Sequence, residues 1–234
     1  MTTQNDFSQV MGVHIDSRQL TEELETLAAF TDAPPPAVTR VVFSPTDVAA
    51  RAYVKSLFTA AGLAVREDAV GNTFARWAGT SPELAAIGSG SHIDAIPHAG
   101  RYDGTVGVLG ALEAIRALQR TGYHPRRSIE LLLFTSEEPT RFGIGCLGSR
   151  LLTASITADA ARQLVDNEGR SLDELCVAAG FSGPLEDVAL GPDYYEAFVE
   201  LHIEQGPLLE AKNLVLGVVT AIAAPASLRV RLEG

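Results

Sequence analysis

The segment Ser128-Ile-Glu-Leu-Leu-Leu-Phe-Thr135 runs straight into Ser136-Glu137-Glu138-Pro139. Six or seven apolar-rich positions closed by turn residues are the length of a strand buried on both faces, and are too short for a helix. Such a strand needs layers on both sides of its sheet. Two adjacent acids at its end are expensive to desolvate unless something cationic compensates them. The chain is therefore expected to build a layered α/β domain, with a charged site at strand ends.

The rest of the chain supplies the layers. Ser17–Phe30 reads as an amphipathic helix, with Leu20, Leu24, Leu27 and Ala28 on one face and Asp16 or Ser17 as N-cap. Residues 32–36, with three consecutive prolines, break the chain. Ser44-Pro45 opens a second helix that runs to Ala61 and stops at Gly62. Leu63–Asp68 and Asn72–Trp77 read as two strands joined around Gly71, and Leu84–Ser89 as a buried parallel-type strand. Gly104–Arg120 is a helix of small and apolar residues; Asp159–Asp166 and Ser171–Ala179 are short helices. Ala197–Glu204 reads as another strand, and Gly217–Glu233 as largely extended. The alternation implies an α/β fold with a mixed, mostly parallel sheet flanked by helices.

Composition narrows the function. With 46% hydrophobic residues in 234 the chain can bury a core, and its net charge of -11 argues against a nucleic-acid surface. No apolar run approaches a membrane span, and residues 1–10 have neither a basic start nor an apolar stretch, so no membrane partner is expected and a cytoplasmic location is the default. Cys146 and Cys176 read as ordinary buried thiols.

Three clusters carry chemistry, each where a strand gives way to a loop, the usual place for ligands in open α/β sheets. In Ser91-His92-Ile93-Asp94, His92 suits a zinc or manganese ion, and Asp94 can hold its second ring nitrogen. Asp103, between Tyr102 and Gly104, can bridge two metals or simply cap the next helix. Of Glu137 and Glu138, one can bind metal while the other serves as general base, or both can form a solvated turn. In Glu200-Leu-His-Ile-Glu-Gln205, strand alternation would put Glu200, His202 and Glu204 on one face; His202 is a further ligand or a structural histidine. Each residue alone has an ordinary structural account. Four potential ligands at three strand ends point to a metal site. His124 reads as a surface loop residue, and His98 as a minor candidate for lining the site. Gly104, Gly107 and Gly110 fall within a helix and do not make a dinucleotide-binding turn.

Gly88–Pro97, Tyr102–Gly104, Phe134–Gly143 and Leu201–Pro207 closely resemble the group of ureidoglycolate amidohydrolases, allantoate amidohydrolases and N-carbamoyl-L-amino acid hydrolases, which sits with the aminoacylase- and carboxypeptidase-type di-metal hydrolases. Cys146–Arg150 and Val218–Leu228 look most like the ureidoglycolate branch. The resemblance implies that His92 and His202 bind one metal, Asp103 bridges two, Glu138 binds the second, Glu137 is the base and Asp94 supports His92. Glu137, Glu138, His202, Ile203, Glu204 and Gln205 would border the substrate, and the peptide after Asp103 would be cis. It further implies two divalent ions, manganese in preference to zinc, a small ureido substrate and a homodimer for the full-length form. The expected reaction is hydrolysis of a linear ureido or carbamoyl C–N bond, most simply ureidoglycolate to glyoxylate, ammonia and carbon dioxide. Allantoate or an N-carbamoyl amino acid is the alternative substrate. Family members extend further, so residues 1–216 are expected to be the N-terminal part of a catalytic domain and 217–234 the start of a lid and dimerisation domain. An inactive metal-binding fragment is the competing reading of another class.

Overall fold

The computed structural model describes residues 12–222 and residue 230. The chain divides into two units, one ending at Ile203 and the other beginning at Glu204. The first unit carries the sheet. Helix α1 (Ser17–Ala28) starts where the Asp16 side chain accepts the Gln19 N–H. Strand β1 (Val38–Arg40) is followed by α2 (Pro45–Ala60), whose start is set by Ser44 as N-cap and by proline in the first turn. Then come β2 (Ala64–Glu67), β3 (Thr73–Trp77), β4 (Ala86–His92), β5 (Ala95–Ala99), α3 (Thr105–Arg120) and β6 (Ile129–Phe134). Three short helices, α4 (Leu147–Leu152), α5 (Ala158–Arg162) and α6 (Leu172–Ala178), precede β7 (Tyr195–Val199). In the second unit, α7 spans Leu208–Ala211.

The main sheet has the order β2-β3-β6-β4-β7. It is mixed, as expected, but evenly so: β6 pairs β4 and β4 pairs β7 in parallel, whereas β2–β3 and β3–β6 are antiparallel. The apolar run on β6 occupies the centre. Its alternation splits the core between two faces. Leu131 and Leu133 pack with Val54 and Phe58 of α2 and with Leu109 and Leu112 of α3. Leu132 points the other way, with Phe74, toward Leu151 of α4 and Leu172 of α6. The sheet is thus sandwiched between helical layers, the solution that a strand apolar on both faces requires. Among the described residues no helix is long and apolar enough to cross a membrane.

Three expectations change. Among the described residues the last strand is β7, Tyr195–Val199, so pairing ends before Glu200, and the alternation read through Glu204 does not apply there. Strands β1 and β5 form a separate two-stranded antiparallel ribbon that periodicity did not reveal. Residues 217–222 form no strand, while 223–229 and 231–233 of the expected extended segment lie outside the described residues.

Candidate metal centre

Strand β4 ends at His92, in the interior beside β6, and delivers a ring that is almost wholly buried. The His92 Nδ1 lies 3.0 Å from the backbone carbonyl of Asp94 and 3.5 Å from its Oδ1. The backbone carbonyl, more than the carboxylate, therefore fixes the ring. The Asp94 carboxylate has a second task, accepting the backbone N–H groups of Glu137 at 3.2 Å and of Glu138 at 3.0 Å. One buried residue thus ties the end of β4 to the acidic pair beyond β6.

The opposite ring nitrogen, His92 Nε2, is buried and has no hydrogen-bond partner among the described residues. It faces acids: Glu137 Oε2 lies 3.5 Å away and Asp103 Oδ1 3.8 Å away. His202 reaches the same oxygen, with its Nε2 3.2 Å from Asp103 Oδ1 and its Nδ1 2.9 Å from the Ile203 carbonyl. The ligand atoms of His92, Asp103 and His202 all lie within 4.8 Å of one another. Donors sharing one ion at ~2.1 Å in tetrahedral directions are about 3.4 Å apart, so these separations fit a common cation. An orphaned, buried imidazole nitrogen facing carboxylates is the donor chemistry that a divalent metal satisfies.

The electrostatics agree. Burial pulls the His92 pKa down, but the hydrogen bond and charge of Asp94 and the charge of Glu137 outweigh it, leaving the value at about 9. Glu138 is pushed up to about 7 by burial and then by the charge of Glu137, against a lowering by His92. The carboxylate charge that raises His92 against its burial would equally favour a cation placed there.

Asp103 is not a helix cap. Gly104 is the N-cap of α3, and no side chain caps that end. Gly104 has φ +66°, and a Cβ there would fall 2.5 Å from the His92 ring, so the glycine lets the Asp103 turn pass close to the histidine. The expected cis peptide after Asp103 is not found; among the described residues the cis bond is Pro35–Pro36.

The remaining expected residues divide. Glu137 and Glu138 border the three-residue cluster without belonging to it. Glu204 and Gln205 belong to the second unit, where the Glu204 carboxylate accepts the Leu208 and Leu209 N–H groups at the start of α7. His98 is exposed on β5, and His124 is exposed before Pro125. Two contacts near the site were not anticipated. Ser91 Oγ donates to Glu200 at 2.6 Å, linking β4 to the His202 segment. Cys146, expected to be an inert buried thiol, is only partly buried, and its Sγ lies 3.2 Å from Glu137 Oε1.

Residues 88–233 match the sequence profile of Peptidase family M20/M25/M40. The chain belongs to this family. Its relatives include the ureidoglycolate hydrolases of Arabidopsis thaliana, 55% identical over 226 residues, and of Oryza sativa subsp. japonica, 54% identical over 225. The alignments cover 94% of this chain and 48% and 46% of those proteins. The allantoate amidohydrolase of Bacillus subtilis is 36% identical over 92% of this chain and 52% of that protein. Among solved structures, a protein described as AtUAH in complex with glyoxylate superposes with a TM-score of 0.83 at 52% identity, over 86% of this chain and 49% of that one. The chain therefore spans about half the length of the relatives it matches. Relatives within the family are named as amidohydrolases, and in this chain His92, Asp103 and His202 form a cluster able to hold a metal.

Proposed function

We propose that the chain carries the metal-binding and proton-transfer half of a ureidoglycolate hydrolase. The observation that carries this reading is the convergence of His92 Nε2 and His202 Nε2 on one oxygen of Asp103, beside Glu137. His92, His202 and Asp103 would hold one divalent ion, and Asp103 with Glu138 a second, manganese in preference to zinc. Bound there, such ions supply Lewis-acid polarisation of a carbonyl and make water more acidic.

The chain's own residues do the rest. Asp94 fixes the His92 ring and holds both acids through their backbone N–H groups. Glu137 takes a proton from the attacking water and passes it to the departing nitrogen as the ureido C–N bond breaks. Carbamoyl hydrolysis of ureidoglycolate releases ammonia and carbon dioxide and leaves hydroxyglycine, which loses ammonia to give glyoxylate. The plant relatives named ureidoglycolate hydrolase, and the structures of AtUAH with glyoxylate and with (S)-hydroxyglycine, support this substrate. Allantoate is the alternative, favoured by the Bacillus subtilis relative.

In this reading residues 1–216 belong to a catalytic domain and 217–234 begin a lid and dimerisation domain. Ile203, Glu204 and Gln205 border the substrate. The working form is a cytoplasmic homodimer. Metal content per chain, measured with ammonia release from ureidoglycolate and from allantoate, tests the proposal. Bound metal with ammonia from ureidoglycolate is the expected result. Turnover of allantoate alone would transfer the activity to the alternative. Metal without turnover of either would leave a metal-binding module.

A further inference from the structure

The acidic pair sits in a loop that folds back on itself. After β6 the chain turns at Ser136, in the left-handed region with φ +53°, and returns to a second left-handed residue, Cys146, with φ +59° and ψ +31°. Between them the loop is stapled in register. The backbone N–H of Cys146 donates to the Glu137 carbonyl at 2.6 Å, that of Leu147 to Ser136 at 2.9 Å and that of Gly148 to Thr135 at 2.9 Å. This register places residue 146 directly opposite the expected base.

Residue 146 carries a side chain where glycine is the undemanding choice. The left-handed conformation crowds the Cβ of an L-residue against the following carbonyl and is unfavourable. The thiol does not repay that cost by capping: Cys146 is the N-cap of α4, and no side-chain cap bond forms there. Its Sγ instead meets Glu137 Oε1 at 3.2 Å. A free thiol has a pKa of about 8.5, so it is mostly protonated at neutral pH, and a carboxylate can only accept. The direction of the bond is therefore Sγ–H to Oε1. The other oxygen, Oε2, is the one that faces His92 Nε2 at 3.5 Å.

We propose that Cys146 is a positioning residue for Glu137, its thiol holding one carboxylate oxygen so that the other is presented to the site. This rests on the reading of Glu137 as the base. The hydrogen bond restricts rotation of the carboxylate about its terminal bond and divides its two oxygens between anchoring and proton transfer. It also takes up part of the negative charge beside Glu138, since a donor to Glu137 offsets the repulsion within the pair.

The test uses the full chain and the variants Cys146→Ala, Cys146→Ser and Glu137→Gln. The infrared S–H stretch of Cys146 is assigned by its disappearance in Cys146→Ala. It is expected at the low frequency of a thiol bonded to a carboxylate, and to move up in Glu137→Gln. An S–H band that does not respond to Glu137→Gln would overturn the proposal whether or not the chain turns over. In turnover, Cys146→Ala is expected to lower kcat about tenfold with KM and metal content unchanged, the size seen when groups that orient active-site residues are removed. Cys146→Ser, which keeps a donor, is expected to recover most of the loss. Equal kcat in Cys146→Ala and the parent would also overturn it. A responsive band together with full activity in Glu137→Gln would instead show that the contact exists and that Glu137 is not the base.

Discussion

The Asp94 carboxylate accepts the backbone N–H of Glu138 at 3.0 Å, across 44 positions of chain. With its bond to the Glu137 N–H and the carbonyl contact to His92, this makes one fully buried aspartate the junction between the expected ligand and the expected base. Its charge serves geometry first, because both acids are held by their backbones and their side chains stay available.

Asp94→Ala leaves two N–H groups without their acceptor inside the domain. Hydrogen bonds to charged groups contribute about 1.5–3 kcal/mol each, so urea denaturation should show a loss of about 3–6 kcal/mol. Asp94→Asn keeps one acceptor oxygen and should lose less. A stability equal to the parent in Asp94→Ala would mean that the acidic loop is held by other contacts.

His92→Ala removes the orphaned nitrogen and leaves Asp103 and His202 as the pair. Metal affinity by calorimetric titration should fall at least tenfold, and the parent, unlike the variant, should gain several degrees in Tm when metal is added. Equal metal content in both proteins would sink the assignment of His92 as a ligand.

Glu137→Gln changes one proton-accepting oxygen and no member of the three-residue cluster. Elemental analysis should find the parent's metal content, and ammonia release should fall by about 10²–10⁴-fold, the usual contribution of a general base. Retained activity would move the base elsewhere.

Gly104→Ala forces a Cβ to 2.5 Å from the His92 ring at a backbone φ of +66°. The turn must shift, carrying Asp103 with it. A loss of about 2–3 kcal/mol in stability, with weaker metal binding, is expected. Unaltered metal affinity would show that Asp103 tolerates displacement.

The sequence made the centre of the fold legible because burial leaves a strong pattern there. The β6 run and the caps at Asp16 and Ser44 each have a local cause that survives in the structure. The ribbon of β1 and β5 leaves no such pattern, since β5 is mostly exposed, contains Pro97 and pairs with residues far earlier in the chain. The same limit explains the misplaced end of β7. Leu201 and Ile203 continue the alternation, but backbone pairing with β4 stops at Val199, and pairing is a property of two segments rather than one.

The site followed the same division. His92, Asp103 and His202 were readable as residue types at strand ends, and the structure brings them together. The Cys146 contact was not, because it depends on a loop returning through two left-handed residues. The bonds of the Glu204 carboxylate to the Leu208 and Leu209 N–H groups at the start of α7 are likewise a local arrangement that the apolar pattern does not encode.

Ser91 and Glu200 touch although 109 positions separate them, and they flank the two histidines. Long loops close slowly, and parallel pairs such as β4–β7 join segments that no hairpin connects. The pairing of β7 with β4 is what brings the two histidine segments side by side. An ion held by both histidines would therefore join the end of β4 to the segment after β7, a cross-link between stretches of chain that no hairpin connects.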